Sequence, residues 1–340
     1  MLLARVAAAD PPQPAPSPAA PSPHLVARGG EAMGTVVDMK VWTTDDDKAR
    51  EAMGRAFDEI TRLEHLMTTW REDSDVSRIN AAAGGKPVVV SPETFECIRR
   101  SLEFSRRSGG AFDITFYALK GLWKFDQDLE AKLPDPKEIR ERIKLIDYRK
   151  LVLDEAHHTV LLKKAGMRIN LGGIAKGYAV DRATAVLRQA GFHDAIVQAG
   201  GDLMLSGDKS GKPWQAGIRD PRAKRDEYFA IAMVKNHAFS TAGDYERTFF
   251  VDGKRYHHII DPKTGYPATR ARSVTIYAPD ALTADGIDDA VLIMGAEAGL
   301  KLVDSFPDVG AVIVDADNKV HVSKLLKDVV KIVYPPTDGP

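Results

Sequence analysis

The order of helical and strand-like segments is the feature that most constrains the fold. Amphipathic helical patterns occupy 48–68 and the stretch from Ser91 to Gly109, and a charged helical stretch lies near 136–145. Strand-like runs then dominate from 195 to 278, before a helical pattern returns at 283–304. Because helices and strands come in blocks and do not alternate, the sequence predicts an α+β fold, not a doubly wound parallel sheet.

Shorter segments refine this outline. The run "MGTVVDMKVW", which begins at Met33, is rich in β-branched residues and predicts a strand, and the stretch "TTWREDSDVSRIN" predicts a loop. Short strand-like runs at 151–153 and 158–162 lead into the glycine-rich stretch "RINLGGIAKGYAVD".

The bulk composition excludes several classes of protein. The 47 Lys and Arg residues nearly balance the 48 Asp and Glu residues, so no partner of strong charge, such as a nucleic acid, is indicated. Cys97 is the single cysteine, which excludes an internal disulfide, and its apolar neighbours predict a core position. No apolar run reaches about 18 residues, so no membrane span is expected.

The first 30 residues differ from the rest of the chain. The stretch "PPQPAPSPAAPSP" at 11–23 carries seven prolines and nothing apolar larger than alanine, which favours an extended spacer. The preceding "MLLARVAAAD" resembles the end of a secretory signal but lacks a full apolar core. We therefore interpret 1–30 as a disordered tether or leader remnant. We expect an exported, periplasmic or envelope-associated protein, with a cytoplasmic one as the alternative.

The glycine-rich stretch from Arg168 to Asp181 matches neither the dinucleotide-binding pattern nor the P-loop. Its simplest interpretation is a tight turn whose glycines supply backbone freedom. However, Lys176 falls in the first turn of the following helix, where the helix dipole repels a cation unless an anion lies nearby. The stretch therefore favours anion binding.

Two carboxylates lie four residues apart in "TADGIDDAVLIMG". Asp285 and Asp289 share one helix face, and oxygen ligands of this kind suit a hard ion such as Mg²⁺. The alternative is that acidic residues in a first turn only complement the helix dipole. Asp288 is expected to face elsewhere, towards solvent.

A pair of histidines precedes an Asp-Pro turn in "HHIIDPKTGYP". Because successive strand residues point to opposite faces, one of His257 and His258 should face a site and the other should be structural. Asp261 is expected to orient the functional histidine. Two further turns, "GGAFD" at 109–113 and "AGGDL" at 199–203, either approach a ligand or are merely tight.

Together these segments resemble the FAD:protein FMN transferases, the ApbE-type flavin transferases, over about 31–335, with 336–340 left as a tail. Eight segments occur in the family's order: "MGTVVDMKVW", "TTWREDSDVSRIN", "GGAFDITFYALKGLW", "INLGGIAKGYAVD", "VQAGGDL", "STAGDYERTF", "YHHIIDPKTGYP" and "SVTIYAPDALTADGIDDAVLIMG".

The resemblance implies a two-lobed, T-fold-related α+β domain with mostly antiparallel sheets and flanking helices, which binds FAD and Mg²⁺ between its lobes. The family's enzymes split the pyrophosphate of FAD, attach FMN to a threonine of an acceptor protein and release AMP. The acceptor implied is a flavin-bearing subunit of a membrane redox complex, such as the sodium-pumping NADH:quinone oxidoreductase or an Rnf-type complex, or a flavin-bearing reductase.

The resemblance also assigns roles to residues. His258 would be the general base, with Lys176 and Asp285 the other catalytic residues and Asp261 shaping the turn after His258. The Gly173 carbonyl, Asp285 and Asp289 would bind the metal. Met33 and Trp70 would flank the flavin. The full set of positions implied to contact the cofactor is Met33, Trp70, Ala111, Phe112, Asp113, Asn170, Lys176, His258 and Ile259.

Three positions depart from the family's pattern. Asn170 stands where the family usually has Asp, Asp289 where it often has Thr, and Ala242 where it has Ser. We expect the exchange at 170 and 289 to preserve the charge around the metal. Two alternatives remain open: an FAD diphosphatase that transfers to water and yields FMN and AMP, and a non-catalytic FAD carrier or maturation partner.

Overall fold

A computed structural model describes residues 22–125, 132–224 and 226–339. Its α-helices are α1 (Asp46–Met67), α2 (Asp75–Ala81), α3 (Pro92–Arg107), α4 (Pro136–Arg142), α5 (Ala175–Gln189), α6 (Ala281–Met294) and α7 (Ala296–Val303). Its strands are β1 (His24–Ala32), β2 (Thr35–Thr43), β3 (Val88–Val89), β4 (Leu151–Asp154), β5 (Thr159–Leu162), β6 (Ala195–Ala199), β7 (Asp202–Ser206), β8 (Trp214–Arg219), β9 (Tyr228–Val234), β10 (His237–Gly243), β11 (Thr248–Val251), β12 (Lys254–His257), β13 (Ala271–Ala278), β14 (Gly310–Asp315), β15 (Val320–Val322) and β16 (Val330–Ile332).

The centre of the molecule is an eight-stranded antiparallel sheet of order β1-β2-β6-β7-β10-β13-β14-β15. One face packs against α1, α5 and α6 and forms the main core. The other face packs against the three-stranded sheet β16-β9-β8 around Trp214 and Phe229. Mixed helices and antiparallel sheets confirm the predicted α+β class.

The helical and strand periodicities held where they were strong. The pattern at 48–68 forms α1, whose apolar stripe includes Met53, Ile60 and Leu63. Ser91 caps α3 by accepting a hydrogen bond from the amide of Thr94, and Pro92 is its first residue. Cys97 is buried within α3, as expected.

Two boundaries were wrong. Strand β1 starts at His24 and pairs along its whole length with β2, so the folded domain begins before residue 31. The rest of the predicted tether, 1–21, lies outside the described residues. The predicted loop "TTWREDSDVSRIN" contains α2, which Ser74 caps by accepting a hydrogen bond from the amide of Ser77. Its short length hid the helical period.

The last helical pattern forms two helices that break at Gly295, whose φ of 78° suits glycine. Helix α6 is buried on nearly every side, since it lies between β10 and β13 on one side and α3, α5 and α7 on the others. Charged residues of α6 therefore face the interior of the protein. Within the described part of the chain, no helix has the length and apolar composition needed to cross a membrane.

Candidate active site

The glycine-rich turn places the first residues of α5 in contact with α6. A Cβ on Gly177 would lie 2.2 Å from the Ala281 carbonyl oxygen, so only glycine allows this approach. Gly172, Gly173 and Gly177 are all outside the left-handed region of φ. These glycines therefore provide space and not backbone freedom, which corrects the simplest interpretation of the stretch.

The anion expected beside Lys176 is supplied by the protein itself. The Lys176 ammonium lies 2.8 Å from Asp202 Oδ2 and 3.2 Å from Asp285 Oδ1, and it also donates to the Gly172 carbonyl at 3.4 Å. Burial alone would lower the Lys176 pKa, but these carboxylates raise it well above its ordinary value. Lys176 is therefore charged. Its side chain is about a quarter exposed.

Three carboxylates from two elements meet beneath Lys176. Asp202 begins β7, Asp285 and Asp288 come from α6, and one oxygen of each lies within 4.8 Å of the others. All three side chains are buried. The prediction that Asp288 faces solvent was wrong, because α6 turns this side chain into the interior, where it contacts Ser240.

Asp202 was not recognised as a site residue in the sequence. The turn "AGGDL" stands out in the sequence by its glycines, and the aspartate that follows them heads a buried strand. The signal in the sequence is an acidic residue between paired glycines and an apolar strand-like run, because a charge carried into a buried strand needs a partner.

Ser240 on β10 connects two of these carboxylates. Its hydroxyl oxygen lies 2.5 Å from Asp202 Oδ1 and 2.6 Å from Asp288 Oδ2. One hydroxyl carries one proton, so the second short contact requires a protonated carboxyl group. Burial, followed by repulsion from the neighbouring carboxylates, raises the pKa of Asp288 well above its ordinary value, which favours the protonated form at this contact.

Asp285 is held by the start of α5. The amide of Gly177 donates to Asp285 Oδ2 at 2.8 Å, while the other oxygen faces Lys176. Burial, with the repulsion of Asp202 added to it, raises the Asp285 pKa to about 7. The carboxylate therefore binds protons readily when no cation offsets its charge.

Asp289 lies beside the glycine turn, as a metal site built on both would require. Its Oδ2 is 3.2 Å from the position of a Cβ on Gly173, and the Phe112 ring is 3.4 Å from the same point. Burial raises the Asp289 pKa to about 6, against the attraction of Lys176 and with repulsion from Asp202. Gly173, Phe112, Asp289 and Lys176 thus share one locality.

The residues present fit a hard divalent cation. Four acidic side chains surround one ammonium, so fully ionised carboxylates would leave three negative charges without a counterion. Within the described residues, Asp202 Oδ2 accepts no well-directed hydrogen bond, although it is buried and close to Lys176. An all-oxygen set of this kind is the chemistry that Mg²⁺ and similar ions select.

The two histidines differ in burial, as strand alternation predicted. His257 is buried and its Nε2 donates to the Ala268 carbonyl at 2.8 Å. His258 is half-buried and its Nδ1 donates to the Glu246 carbonyl at 3.0 Å, which leaves Nε2 as the basic nitrogen. Burial lowers the His258 pKa to about 4, and the nearby Lys176 charge adds to that effect.

Asp261 does not orient His258, contrary to expectation. Its Oδ1 accepts from the Lys263 amide and its carbonyl accepts from the Gly265 amide, so it shapes the turn that follows the histidines. The Glu246 carbonyl is the group that orients His258. A backbone partner twelve residues away leaves no trace in sequence.

The remaining predicted contacts differ in their exposure. Asp113 is buried and accepts hydrogen bonds from the amide and hydroxyl of Thr115 and from the Tyr148 amide, so its carboxylate organises this segment. Burial outweighs these bonds and raises its pKa. Ala111 and Ile259 are also buried.

Trp70, Met33 and Asn170 occupy turns and loops. Trp70 is 89% exposed, which leaves its indole available for stacking. Met33 has a φ of 54° in the two-residue turn between β1 and β2, a conformation that is costly for a side chain with a Cβ. The Oδ1 atom of Asn170 accepts from the Gly172 amide at 2.7 Å. Their contact with a flavin stays a prediction.

Similarity to known proteins follows the same segments. A sequence model of the ApbE family matches residues 33–313. The FAD:protein FMN transferase of Treponema pallidum is 34% identical, and the match covers 88% of this chain and 87% of that protein. An FAD:protein FMN transferase of Klebsiella pneumoniae is 33% identical, with 86% and 89% covered.

Solved structures agree with the sequence matches. The ApbE protein of Thermotoga maritima superposes with a TM-score of 0.81 at 36% identity, over 90% of this chain and 99% of that chain. The flavin transferase ApbE of Vibrio cholerae gives a TM-score of 0.78 at 27% identity, with the same coverage. The match over most of the chain, in sequence and in fold, establishes that this protein belongs to the ApbE family.

Proposed function

We propose that the protein is an FAD:protein FMN transferase, which transfers the FMN half of FAD to a threonine of an acceptor protein and releases AMP. The observation that carries this proposal is the meeting of Lys176 and the buried carboxylates in one site, close enough to His258 for the Lys176 charge to help lower the pKa of that histidine. The names of the relatives, FAD:protein FMN transferase, support the same reaction.

The carboxylate cluster is the proposed binding site for a cation. Asp285 and Asp289, with the Gly173 carbonyl, are the proposed ligands, and Asp202 and Asp288 add negative charge behind them. A bound Mg²⁺ would neutralise charge on the pyrophosphate. Lys176 contributes a second positive charge at the same place, and the Asp202 and Asp285 carboxylates fix its position.

His258 accounts for activation of the acceptor. Its Nδ1 proton is held by the Glu246 carbonyl, and a pKa of about 4 keeps Nε2 unprotonated at neutral pH. Nε2 would take the proton of the threonine hydroxyl while the new oxygen–phosphorus bond forms and the pyrophosphate bond breaks. The departing half leaves as AMP.

The experiment that tests this reaction uses FAD, Mg²⁺ and an acceptor domain that bears one candidate threonine. Transfer gives a covalently fluorescent acceptor on a denaturing gel together with AMP in equal amount. AMP without labelled acceptor would instead support an FAD diphosphatase, and neither product would support a non-catalytic carrier. His258→Ala should slow labelling by about 10²–10⁴, while His193→Ala, which removes an exposed histidine, should leave the rate unchanged.

We further propose that the acceptor is a flavin-bearing subunit of a membrane redox complex or a flavin-bearing reductase, and that the protein works in the periplasm or cell envelope. The proline-rich composition of 11–23 supports a spacer that holds the domain near such a partner. The test joins residues 1–30 to a reporter enzyme that is active only after export. Expression of the fusion without reporter activity would contradict the proposed location.

A further inference from the structure

The carbonyl that orients His258 belongs to an exposed turn. Glu246 lies at 244–247, between the end of β10 and the start of β11, and its side chain is 57% exposed. Arg247 in the same turn has a φ of 40°, which is costly for a residue with a Cβ. Backbone preference alone therefore does not keep this conformation, and contacts from other elements are needed to hold the Glu246 carbonyl.

Arg219 makes two contacts with this turn. Its Nη1 donates to Glu246 Oε1 at 2.7 Å, and its guanidinium group lies 4.3 Å from the centre of the Tyr245 ring. A planar guanidinium can pair with a carboxylate and stack on an aromatic ring at the same time. Arg219 therefore holds two successive residues of the turn with one group.

The side chain of Arg219 comes from the second sheet, at the end of β8. The pairing of β8 with β9 shifts by one residue between Ile218 and Arg219, and irregularities of this kind redirect a side chain. The Tyr245 ring packs closely on Gly243, where a Cβ would lie 2.3 Å from it. Arg219 thus connects the second sheet to a turn that follows it by about 27 positions in the chain.

Other groups hold the two ends of this turn. At its start, the Asp244 carboxylate forms a bidentate pair with Arg222 at 2.6 and 2.8 Å, and both side chains are almost buried. At its end, Thr248 begins β11 and pairs in the hairpin with β12. Arg219 contacts two of the three residues between these anchors, so it supports the part of the turn that the anchors do not reach.

The tautomer of His258 depends on the position of this carbonyl. A carbonyl oxygen only accepts hydrogen bonds, so the Glu246 carbonyl, 3.0 Å from Nδ1, keeps the proton on Nδ1 and leaves Nε2 without one. The other tautomer carries its proton on Nε2, which could then not accept a proton from a threonine hydroxyl. Displacement of the carbonyl would therefore lower the fraction of His258 that can act as a base.

We propose that Arg219 is a positioning residue for FMN transfer, which holds Tyr245 and Glu246 so that the Glu246 carbonyl keeps His258 in the Nδ1–H tautomer. The inference rests on the proposed role of His258 as the general base. The second sheet, which carries none of the predicted site residues, thereby contributes to the site through one side chain.

Nitrogen-15 NMR of protein labelled in its histidine rings reads the tautomer directly, because the protonated and the unprotonated ring nitrogen of a neutral histidine have different chemical shifts. The His258 signals are identified by their absence from His258→Ala. At neutral pH the wild-type protein should show the Nδ1–H tautomer, and Arg219→Gln should shift the signals towards the Nε2–H tautomer. These signals need no turnover, so they separate failure of this inference from failure of the proposed function.

Transfer rates complete the test. Arg219→Gln should lower kcat by about 3- to 30-fold, the combined range of one partly exposed ion pair and one cation–π contact, and should change the KM for FAD less than about twofold. Arg219→Lys keeps the charge but not the planar stacking, so its kcat should lie between those of Arg219→Gln and the wild type. Arg55→Gln, which removes an exposed ion pair with Glu51 on α1, is the control and should match the wild type in signals and rate.

Glu246→Gln is a second, independent variant. It removes the ion pair with Arg219 but keeps the carbonyl, so it should shift the His258 signals in the same direction to a smaller extent. Its exposed position makes it usable even if Arg219→Gln unfolds. The proposal would be overturned by an Nε2–H tautomer in the wild type, or by an unchanged tautomer in folded Arg219→Gln or, should that variant unfold, in Glu246→Gln. A raised KM for FAD with unchanged kcat would also overturn it, because Arg219 would then act in cofactor binding.

Discussion

The amide of Gly177 donates a 2.8 Å hydrogen bond to Oδ2 of Asp285, and the two helices that carry these residues touch at this point. A Cβ on residue 177 would lie 2.2 Å from the Ala281 carbonyl and 2.7 Å from the Asp285 Cβ. The position of the Asp285 carboxylate therefore depends on the absence of a side chain at residue 177.

Gly177→Ala should lower the free energy of unfolding by about 1–3 kcal/mol, as overpacking does, and should reduce FMN transfer at least tenfold. Urea unfolding and the transfer assay measure the two effects. Gly54→Ala, within helix α1, is the matched control, because a Cβ there would meet only the end of the Arg28 side chain. It should leave transfer unchanged and stabilise the protein by up to about 1 kcal/mol. Equal effects of the two variants would contradict the role of Gly177.

Adding Mg²⁺ should raise the melting temperature of protein from which metal has first been removed with EDTA. A cation that binds the buried carboxylates of the folded state alone stabilises that state, by roughly 2.7 kcal/mol at one hundred times its dissociation constant. Asp285→Asn should abolish most of this increase, whereas Asp317→Asn, at an exposed position, should preserve it. Sodium chloride at equal ionic strength separates binding from screening, and an equal increase with sodium would exclude a specific site.

The stability of the metal-free protein should fall as the pH rises from about 4 to about 7. Asp285 has a folded-state pKa of about 7 and Asp289 of about 6, both above the ordinary value of 3.8. The folded protein thus binds more protons than the unfolded chain in this window, and stability is lost as they dissociate.

His258, with its pKa lowered to about 4, has the opposite sign and offsets part of this fall. Melting temperatures in EDTA at several pH values give the slope. A rising or flat profile would show that the buried carboxylates do not titrate as described.

His257 and His258 should separate stability from activity. His257→Ala removes a buried ring and its bond to Ala268, and it should cost about 2–3 kcal/mol of unfolding free energy. His258→Ala should cost less than about 1 kcal/mol but slow transfer by about 10²–10⁴, the usual contribution of a general base. Denaturant unfolding and initial transfer rates measure both variants. Full activity of His258→Ala would refute its assignment as the base.

The exchange at residues 170 and 289 should prove compensatory. Asn170 accepts a hydrogen bond from the Gly172 amide, and Asp289 Oδ2 lies 3.2 Å from where a Cβ on the adjacent Gly173 would stand. Asp289→Thr should weaken Mg²⁺ binding at least about fivefold, and adding Asn170→Asp should restore much of the loss. Calorimetric titration with Mg²⁺ measures the single and double variants. Strong tightening by Asn170→Asp alone, with no effect of Asp289→Thr, would contradict charge compensation.

Local patterns predicted most of the elements that frame the site. Helices α1 and α3 and the paired strands β6 and β7 follow from periodicity and capping residues, which act over a few positions. Strand β1 escaped prediction because "HLVARGGEA" has two glycines and no regular alternation, and its pairing with β2 decides its conformation.

The carboxylate site shows where such patterns end. Asp285, Asp289 and Lys176 lie in short motifs, but Asp202 joins them only because β7 runs beside β10 and beneath α6. The surroundings of Asp288 likewise depend on how deeply α6 is buried. Neither fact is encoded within one helix or one strand, so both required the tertiary structure.

The contact at Gly177 also limits which substitutions such a site can accept during evolution. Under the predicted compensation, a charge lost at residue 170 is offset by one gained at 289, so the site on the turn and on α6 would tolerate exchange. Residue 177 has no such partner, because a larger side chain would collide with the Ala281 backbone, and no substitution at 281 removes a carbonyl oxygen. Among descendants of this sequence, we therefore expect the positions of the acidic residues to vary and the distance between α5 and α6 at residue 177 to stay the same.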